Sequence, residues 1–252
     1  MQLQDSAAVV TGAASGLGAA TAAALAEKGA TVFAFDLPAS IDQATPRPGI
    51  ELIPVDVTNA DQVREGIDRA CRSGLPLRVA VNCAGIGPSM RILGKKGVHD
   101  PAFFAKVVTV NLLGSFNVLS LAAERIAESP ADEHGQRGIV INTASIAAFE
   151  GQVGQVAYAA SKGGVVGMTL PAARDLAQYG IRVNTIAPGI VDTAMLQTVS
   201  PEFRASLAAG IPFPQRLAAP EEFADLAVFL AEHDYINGET VRMDGALRMA
   251  PR

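Results

Sequence analysis

Residues 7–28 read AAVVTGAASGLGAATAAALAEK, and this stretch decides the fold. The apolar run at 7–11 has the unbroken pattern of a strand buried on both faces, and the alanine-rich run at 16–28 has the composition of a helix. Glycines at 12, 16 and 18 lie between the strand and the body of the helix. They allow a tight turn and let the backbone and the helix N-terminus approach a phosphate group. The sequence therefore predicts a strand–turn–helix unit with an anion site, although such a turn is often only structural.

The same alternation of apolar and alanine-rich runs continues along the chain. We predict strands at 7–11, 31–35, 50–55, 78–82, 138–143, 181–186 and 239–243, and helices at 16–28, 60–73, 102–128, 156–178 and 221–231. This order is typical of an α/β fold with right-handed crossovers. We expect residues 1–252 to form a single Rossmann-type domain, a doubly wound, seven-stranded parallel sheet flanked by helices. An extended loop at about 86–101 and a lid at about 188–216 interrupt the alternation.

Composition limits the function classes. The 252 residues carry a formal net charge of −5 with no basic run, which argues against nucleic-acid binding. Cys71 and Cys83 match no metal or disulfide pattern, so we interpret both as small core residues in a reducing compartment. The N-terminus leads straight into the first strand, and we recognise no charged leader and no apolar run of bilayer length. The expectation is a cytoplasmic protein without a membrane segment.

An acidic residue lies at the end of the second strand. Asp36 lies about 20 residues past the glycines, where a carboxylate accepts hydrogen bonds from a ribose 2′-OH and repels a 2′-phosphate. No Arg or Lys occupies positions 37 and 38, and none lies at 13–15. The pattern therefore favours NAD over NADP. The alternative is an aspartate that only caps the strand end.

Two further strand ends carry candidate cofactor contacts. After the third strand, Asp56 could accept from an adenine amino group while Val57 supplies a backbone N–H, or Asp56 could only initiate the next helix. After the fourth strand, the small residues Asn-Cys-Ala-Gly at 82–85 let the chain pass close to the adenosine ribose. We interpret Cys83 as a packing residue rather than a nucleophile, because no histidine lies nearby in the sequence to activate it.

The pattern that indicates chemistry is YAASK at 158–162, with Ser145 thirteen residues before Tyr158. On a helix, Tyr158 and Lys162 lie on the same face because they are four residues apart. A fixed ammonium favours the phenolate and lowers the tyrosine pKa, which makes the phenol a usable base near neutral pH. A lone pair of this kind also occurs by chance on exposed helix faces, so its meaning depends on a cofactor site beside it.

Together these motifs resemble the short-chain dehydrogenase/reductase family. The matching elements occur in family order over nearly the whole chain: TGAASGLG at 11–18, Asp56, NCAG at 82–85, Asn111, Ser145, YAASK at 158–162 and PG at 188–189. Residues 141–189, 212–216 and 237–249 are similar, more narrowly, to type II 3-hydroxyacyl-CoA dehydrogenases. This resemblance implies NAD-dependent oxidation of (S)-3-hydroxyacyl-CoA to 3-oxoacyl-CoA, and the reverse, in fatty-acid or branched-chain acyl-CoA breakdown. It also implies a homotetramer.

The resemblance implies roles for individual residues as well. Tyr158 would be the base, Ser145 would hold the reacting oxygen, and Lys162 would lower the tyrosine pKa. Asn111 would complete the catalytic set by holding a water that links Lys162 to solvent. The implied cofactor contacts are Gly12, Ser15, Gly16, Leu17, Gly18, Asp36, Asp56, Val57, Asn82, Cys83, Ala84, Gly85, Tyr158, Lys162, Pro188, Gly189, Val191 and Thr193. The family often has Phe where this chain has Val191, so we expect that contact through the backbone.

Signals for the substrate are weaker. The 86–101 loop carries a basic cluster that suits a coenzyme A phosphate or is simply solvated, formed by Arg91, Lys95, Lys96 and His99. The lid carries apolar residues whose spacing fits either a cover over an acyl chain or ordinary packing, namely Met195, Leu196, Phe203, Leu207 and Phe213. We interpret His134 and His233 as surface residues.

Two other readings of the function stay open at this point. With the same fold, the chain could be a 3-oxoacyl-carrier-protein reductase, or a hydroxysteroid or secondary-alcohol dehydrogenase. Asp36 argues against the reductase, which usually depends on NADPH. The remote alternative is a nucleotide-binding scaffold without chemistry, which would not need the set of Ser145, Tyr158 and Lys162.

Overall fold

Parallel β-structure forms the centre of the protein. The computed structural model describes residues 1–95, 97–193 and 200–251. Its strands are β1 (Ala7–Thr11), β2 (Thr31–Asp36), β3 (Ile50–Pro54), β4 (Leu77–Asn82), β5 (Leu93–Gly94), β6 (Gly97–Val98), β7 (Gly138–Thr143), β8 (Ile181–Pro188) and β9 (Thr240–Met243). Seven of them form one sheet in the order β3-β2-β1-β4-β7-β8-β9, and β5 pairs with β6 as a separate antiparallel hairpin.

The strand order turns around between β1 and β4. Thr11, at the end of β1, lies opposite Phe35 of β2 on one side and Asn82 of β4 on the other. From this point the chain adds strands outward in both directions, and every pair in the sheet is parallel. This is a topological switch point, where open α/β sheets bind ligands. The predicted Rossmann-type, doubly wound sheet is confirmed.

Helices cover both faces of the sheet. They are α1 (Gly16–Glu27), α2 (Pro38–Ile41), α3 (Ala60–Cys71), α4 (Pro101–Val108), α5 (Gly114–Glu128), α6 (Val156–Leu176), α7 (Pro201–Ala209) and α8 (Pro220–Glu232). On one face Val9 packs in a core with Ile67 of α3, and on the other Val10 packs in a core with Leu25 of α1 and Phe223 of α8. Burial on both faces explains why the strands lack polar alternation.

The helix predicted at 102–128 is not continuous. It consists of α4 and α5 joined by a π-helical turn, Thr109–Leu113, that carries Asn111. In the described part of the chain, Pro101–Glu128 is one stretch long and apolar enough to cross a membrane by length and composition, so the expectation of no such run was wrong. Val118 and Ile126 in this stretch nevertheless belong to the core on the α3 side of the sheet. One face of the stretch therefore packs as a core helix.

The two stretches that interrupt the alternation contain secondary structure of their own. The β5–β6 hairpin lies within 86–101, and α7 lies within 188–216, of which residues 194–199 fall outside the described part. Local spacing did not predict α2 or the 3-10 turn Ile146–Ala148, because each is only about one turn long, and the helix predicted at 156–178 ends in a 3-10 turn, Ala177–Tyr179. The remaining element ends agree with the predictions to within two residues.

Candidate active site

The glycine loop and the segment after β4 are locked together. Thr11 Oγ1 accepts hydrogen bonds from the backbone N–H groups of Cys83 (3.1 Å) and Ala84 (3.0 Å). Gly12 has a φ of +63°, and a Cβ there would lie 2.8 Å from the Ala84 nitrogen. A Cβ on Gly18 would lie 2.2 Å from the Gly12 oxygen. Only glycine fits at these two positions, so the close packing explains the motif at the first turn.

The start of α1 leaves backbone donors for an anion. Ser15 is the N-cap residue, and its side chain makes no capping hydrogen bond with any residue the structure describes. Gly16 (φ +54°) and Leu17 then open the helix. The first N–H groups of a helix have no partner within it and carry the positive end of the helix dipole. Ser15, Gly16 and Leu17 are therefore placed where the sequence predicted a pyrophosphate contact.

Asp36 is fixed against the glycine loop. Its Oδ2 accepts from the Ala14 N–H at 2.9 Å, and its Oδ1 accepts from the Leu37 N–H at 2.8 Å. These bonds hold a partly buried carboxylate at the carboxyl end of β2, beside β1. The carboxylate can therefore accept hydrogen bonds from a ribose diol. Among the described residues, no cation lies against it that could neutralise the charge of a 2′-phosphate.

Asp56 makes a local turn. Its Oδ1 accepts from the Thr58 backbone N–H (2.9 Å) and hydroxyl (2.8 Å), while Asn59 caps α3. The alternative, that Asp56 only initiates the next helix, is therefore wrong, because the N-cap residue of α3 is Asn59. The adenine contact of Asp56 and Val57 stays a prediction. Val57 is buried against Gly114, and its carbonyl accepts from Asn117 Nδ2 at 2.9 Å.

The segment at 82–85 is tied into the sheet. Buried Asn82 donates from Nδ2 to Asn142 Oδ1 (2.9 Å) and to the Ser115 carbonyl (3.1 Å), so its side chain joins β4 to β7 and α5. Burial raises the pKa of the Cys83 thiol to about 11, which keeps it protonated near neutral pH. This agrees with Cys83 as a packing residue. Because the N–H groups of Cys83 and Ala84 bind Thr11, a cofactor would meet their carbonyl groups instead.

Tyr158 and Ser145 come together between α6 and the end of β7. Hydrogen bonding with Ser145 lowers the pKa of Tyr158, against a larger increase caused by burial. Ser145 Oγ also accepts from the Ala147 N–H at 3.1 Å, so the serine keeps its own proton for another acceptor. The net direction is a raised tyrosine pKa.

Lys162 is deeply buried beside this pair. Its Nζ donates to the Thr143 carbonyl at 2.6 Å and lies 5.9 Å from the centroid of the Tyr158 ring. Burial lowers the pKa of Lys162 to about 8. Burial leaves the pKa of Tyr158 above its usual value, and Lys162 is not among the groups that shift it, so the predicted lowering by Lys162 stays a prediction.

The Asn111 side chain joins separate segments of the chain through three hydrogen bonds. Its Oδ1 accepts from the Ile86 N–H (2.8 Å), and its Nδ2 donates to the Ile86 carbonyl (2.9 Å) and to Ser161 Oγ (3.0 Å). The side chain thus ties the π-helical turn to the segment after β4 and to α6. A Cβ on Gly85 would lie 3.2 Å from Asn111 Oδ1 and 3.6 Å from Lys162 Nζ. Asn111 is therefore near Lys162, and its role in a water relay stays a prediction.

The loop after β8 faces the glycine loop. Pro188 ends β8 opposite Met243 of β9, and the N–H of Gly189, the first residue of the loop, donates to the Met243 carbonyl at 2.9 Å. Val191 is buried in a bridge with Ala218, and the Thr193 methyl lies 3.5 Å from where a Cβ on Gly16 would be. The predicted nicotinamide-end residues therefore close one side of the same cleft.

Sequence reasoning missed three contributions to this cleft. Thr11 joins the two cofactor loops, and the Thr143 carbonyl holds Lys162. An ion pair between Asp192 and Arg204 ties α7 to the loop after β8. The sequence could have indicated Asp192, because it directly precedes the candidate cofactor contact Thr193. A backbone carbonyl leaves no signal in a sequence.

The predicted substrate residues are less well assembled. Arg91 and Lys95 are exposed on the 86–101 loop, and Lys96 lies outside the described residues. His99 does not join them, because it packs edge-on against Phe103 and Phe104. In the lid, Phe203 and Phe213 are exposed, Leu207 is half-buried, and Met195 and Leu196 lie outside the described residues. His134 and His233 are exposed, as predicted.

Two other features lie outside this cleft. A groove of about 880 Å³ lies at the opposite, amino-terminal edge of the sheet and is lined by residues that include Leu3, Arg78 and Asp234. It touches none of the predicted site residues. Over residues 1–95, 97–193 and 200–251, no group of three or more His, Cys, Asp and Glu side chains could hold a metal ion.

Comparisons with known proteins agree with this geometry. The family model described as enoyl-(acyl carrier protein) reductase matches residues 12–247. A 3-hydroxyacyl-CoA dehydrogenase type-2 of Bos taurus is 48% identical over 97% of this chain and 95% of its own. The crystal structure of 3-hydroxyacyl-CoA dehydrogenase type-2 from Mycobacterium avium has a TM-score of 0.92 and 44% identity, covering 98% of both chains. The chain belongs to the short-chain dehydrogenase/reductase family.

This family consists of oxidoreductases that use a nicotinamide dinucleotide cofactor. The residues of this chain fit such a group, because the N-terminus of α1 offers backbone donors and the Asp36 carboxylate is held in the position for a ribose. A 3-oxoacyl-[acyl-carrier-protein] reductase of Thermotoga maritima is also similar, with 34% identity over 98% of this chain and 99% of its own. Membership in the family therefore gives the reaction type more firmly than the substrate.

Proposed function

We propose that this protein is an NAD-dependent 3-hydroxyacyl-CoA dehydrogenase that interconverts (S)-3-hydroxyacyl-CoA and 3-oxoacyl-CoA. The observation that carries the reaction type is the grouping of two buried residues, Ser145 and Lys162, around Tyr158 at the carboxyl end of the sheet. The substrate rests on the names of the relatives in Bos taurus and Mycobacterium avium, which span nearly the whole chain.

In the oxidation, Tyr158 is the group that moves the proton. Its phenolate oxygen takes the proton of the substrate 3-hydroxyl while the hydrogen on carbon 3 leaves with its electron pair. When a substrate is bound, the single O–H of Ser145 would donate to the reacting oxygen instead of to Tyr158 and hold that oxygen near the phenol, while Ser145 Oγ accepts from the Ala147 N–H. When bound, the nicotinamide supplies the hydride acceptor. In the reduction the same residues work in reverse, with Tyr158 returning the proton.

Lys162 and Asn111 support Tyr158 by holding the cofactor and the neighbouring backbone in position. Lys162 is anchored to the Thr143 carbonyl, and its ammonium would hold the nicotinamide ribose with its remaining donors. Its pKa of about 8 leaves it mostly charged at neutral pH. Asn111 fixes the segment after β4 beside the lysine, which keeps this wall of the cleft at a constant distance. Fixed geometry of this kind is the main contribution a protein makes to hydride transfer.

Asp36 supports NAD as the cofactor. Its carboxylate is held by Ala14 and Leu37 in the position for a ribose 2′-OH, and a 2′-phosphate would meet its negative charge. This cofactor preference also favours the dehydrogenase over the carrier-protein reductase. The reductase stays the second candidate, because the Thermotoga maritima reductase is similar over nearly the full length.

The coenzyme A part of the proposal is supported by the 86–101 loop. Arg91 and Lys95 are exposed there in a chain of net negative charge. Exposed cations can bind phosphate groups without an enclosed pocket.

We also propose a homotetramer. Large apolar side chains are exposed along the outer side of the α4–α5 stretch, including Leu113 (46%) and Phe116 (51%). A second copy of the chain would cover them, as contiguous apolar surface favours association.

Three parallel assays test the proposed function. The purified protein is given NADH with acetoacetyl-CoA, NADH with ethyl acetoacetate, and NADPH with an acetoacetyl-carrier protein. We expect the highest kcat/KM with NADH and acetoacetyl-CoA, by about tenfold or more, because binding of the CoA part adds to transition-state stabilisation. In the oxidation, (S)-3-hydroxybutyryl-CoA should react and the (R) isomer should not. A preference for the third assay would support the reductase, and no turnover in any assay would support a scaffold.

A further inference from the structure

Arg242 is the centre of an ion-pair network beside the active site. From β9, its Nη1 and Nη2 donate to Glu150 Oε1 (2.8 Å) and Oε2 (2.9 Å), and its Nε donates to Asp244 Oδ2 (2.7 Å). Its guanidinium lies over the ring of Phe149, 5.0 Å from the centroid. Two parallel bonds and a stacked ring fix both the position and the plane of the guanidinium.

The segment that follows Arg242 adds a second set of contacts to the same loop. Gln152 Nε2 donates to the Ala250 carbonyl at 3.0 Å, and the Val153 N–H donates to the Pro251 carbonyl at 3.0 Å. Leu247 packs with Ile146 in a small core. Residues 242–251 therefore brace the stretch between Ser145 and Tyr158 from one side.

The braced loop, residues 149–155, forms a wall next to the reacting groups. It begins a few residues after Ser145 and ends just before α6, which carries Tyr158. On its other side, the Gly154 carbonyl accepts from the Met90 N–H at 2.8 Å. A Cβ on nearby Gly87 would lie 3.7 Å from the Tyr158 ring. Loop 149–155 and the segment 87–90 are therefore joined to each other beside Tyr158.

Partial burial makes the Arg242–Glu150 pair stronger than an ordinary surface pair. The side chains are 22% and 27% exposed. The hydrogen bond from Arg242 is the main cause of a lowered pKa for Glu150, which keeps this carboxylate charged. Ion pairs withdrawn from water with two parallel bonds are screened less than exposed ones, which contribute about 0–1 kcal/mol.

We propose that Arg242 is a positioning residue, which holds loop 149–155 through Glu150 so that this wall is preset for the acyl part of the substrate. The acyl substrate itself rests on the proposed function. Arg242 lies 92 residues from Glu150 in the chain and does not contact the reacting atoms, so its effect passes through the loop.

The test compares Arg242→Gln, Glu150→Gln, the double variant and Arg242→Lys. The control is Arg125→Gln, which removes a similarly exposed pair (30% and 33%) between Arg125 and Asp68 on the outer helices. For Arg242→Gln we expect the KM for acetoacetyl-CoA to rise about tenfold, with kcat within about threefold, because a displaced wall weakens substrate positioning. NADH affinity should not change. Arg242→Lys should give an intermediate KM, since lysine keeps the charge but not the paired bonds.

Hydrogen–deuterium exchange separates this proposal from the proposed function. Peptides covering 149–155 should exchange faster in Arg242→Gln than in the wild type or in Arg125→Gln, since their anchoring bonds are lost. For the exchange of 149–155, the double variant should match either single variant, because the proposed effect on this loop passes through the Arg242–Glu150 contact. A wild type without activity on acyl-CoA would refute the proposed function and leave the exchange result to decide the role of Arg242. Unchanged exchange, or equal KM effects of Arg242→Gln and Arg125→Gln, would overturn the role of Arg242.

Discussion

Tyr158 shows how burial and catalysis oppose each other at a single residue. Burial raises its pKa, whereas oxidation needs the phenolate. Hydrogen bonding with Ser145 lowers the pKa of Tyr158, but the increase caused by burial is larger. Tyr158 therefore loses its proton less readily than a free tyrosine does. The rate of oxidation should rise with pH through the alkaline range, because a larger fraction of Tyr158 is then phenolate.

Replacing Tyr158 by Phe tests the proton transfer directly. We expect NADH binding to persist and kcat to fall about 10³-fold, which is the usual size of a general acid–base contribution. Fluorescence titration measures NADH binding, and acetoacetyl-CoA reduction measures kcat. Tyr179→Phe is the matched control, because Tyr179 is an exposed tyrosine near the end of the same helical region. Near-normal turnover in Tyr158→Phe would contradict the assigned role.

Lys162 predicts how stability depends on pH. Its pKa is about 8 in the folded protein and near 10.4 in an unfolded chain, so between these values only the unfolded state holds the proton. The free energy of unfolding should therefore rise with pH across this window, by on the order of 3 kcal/mol in total. Below about pH 8 the full cost of the buried charge applies.

Lys162→Met should remove this rise, since methionine does not titrate. The test is urea unfolding of the cofactor-free wild type and variant from pH 7.5 to 10.5. Subtracting the free energy of unfolding of the variant from that of the wild type at each pH cancels the contribution of most other titrating groups. Two parallel curves would show that Lys162 titrates normally in the folded protein.

Asp36→Ala tests the choice of cofactor. Losing the carboxylate removes both a ribose acceptor and the repulsion of a 2′-phosphate, so the ratio of kcat/KM for NADH over NADPH should fall about tenfold or more. Asp42→Ala is the control, since Asp42 is an exposed carboxylate on the same connection. An unchanged ratio in Asp36→Ala would remove Asp36 from the cofactor site.

At the scale of elements, the strand–turn–helix unit of β1 and α1 is limited by close packing. Gly12→Ala would combine a positive φ with a contact of 2.8 Å to the backbone of Ala84. Gly74→Ala is a matched control, because Gly74 has a φ of +77° and a Cβ there would meet nothing within 4 Å. We expect a loss of about 1–2 kcal/mol in Gly74→Ala from backbone strain alone, and a clearly larger loss in Gly12→Ala.

Thermal or urea unfolding measures this difference, and NADH titration should show weakened binding only in Gly12→Ala. Equal destabilisation of the two variants would mean that the loops of β1 and β4 can separate at little cost.

For the whole molecule, the apolar outer side of the α4–α5 stretch should be a subunit contact. Light scattering after size-exclusion chromatography should give a tetramer for the wild type. Phe116→Glu should give smaller species, because a charge buried without a partner costs several kcal/mol. Leu37→Glu is the control, as Leu37 is equally exposed (50%) at the end of β2. A wild-type monomer that binds lipid vesicles would instead assign this stretch to a membrane surface.

Residue spacing predicted most of the fold and placed Tyr158 and Lys162 together, whereas the roles of Ser145 and Asn111 came from the family resemblance. The apolar runs predicted where the strands of the main sheet lie along the chain, and the glycines predicted the turn between β1 and α1. The spacing of Tyr158 and Lys162 predicted that they lie on one helix face. These features are local, since they depend on periodicities of two and 3.6 residues and on turns of a few residues.

Tertiary structure decided what local spacing does not contain. The break in the helix at Asn111, the anchoring of Lys162 by Thr143 and the raised pKa of Tyr158 all depend on which elements meet. Arg242 and Glu150 gave no sequence signal, because 92 residues separate them and only the sheet brings β9 next to loop 149–155. Burial and long-range hydrogen bonds set pKa values and side-chain positions, and both exist only once the chain has folded.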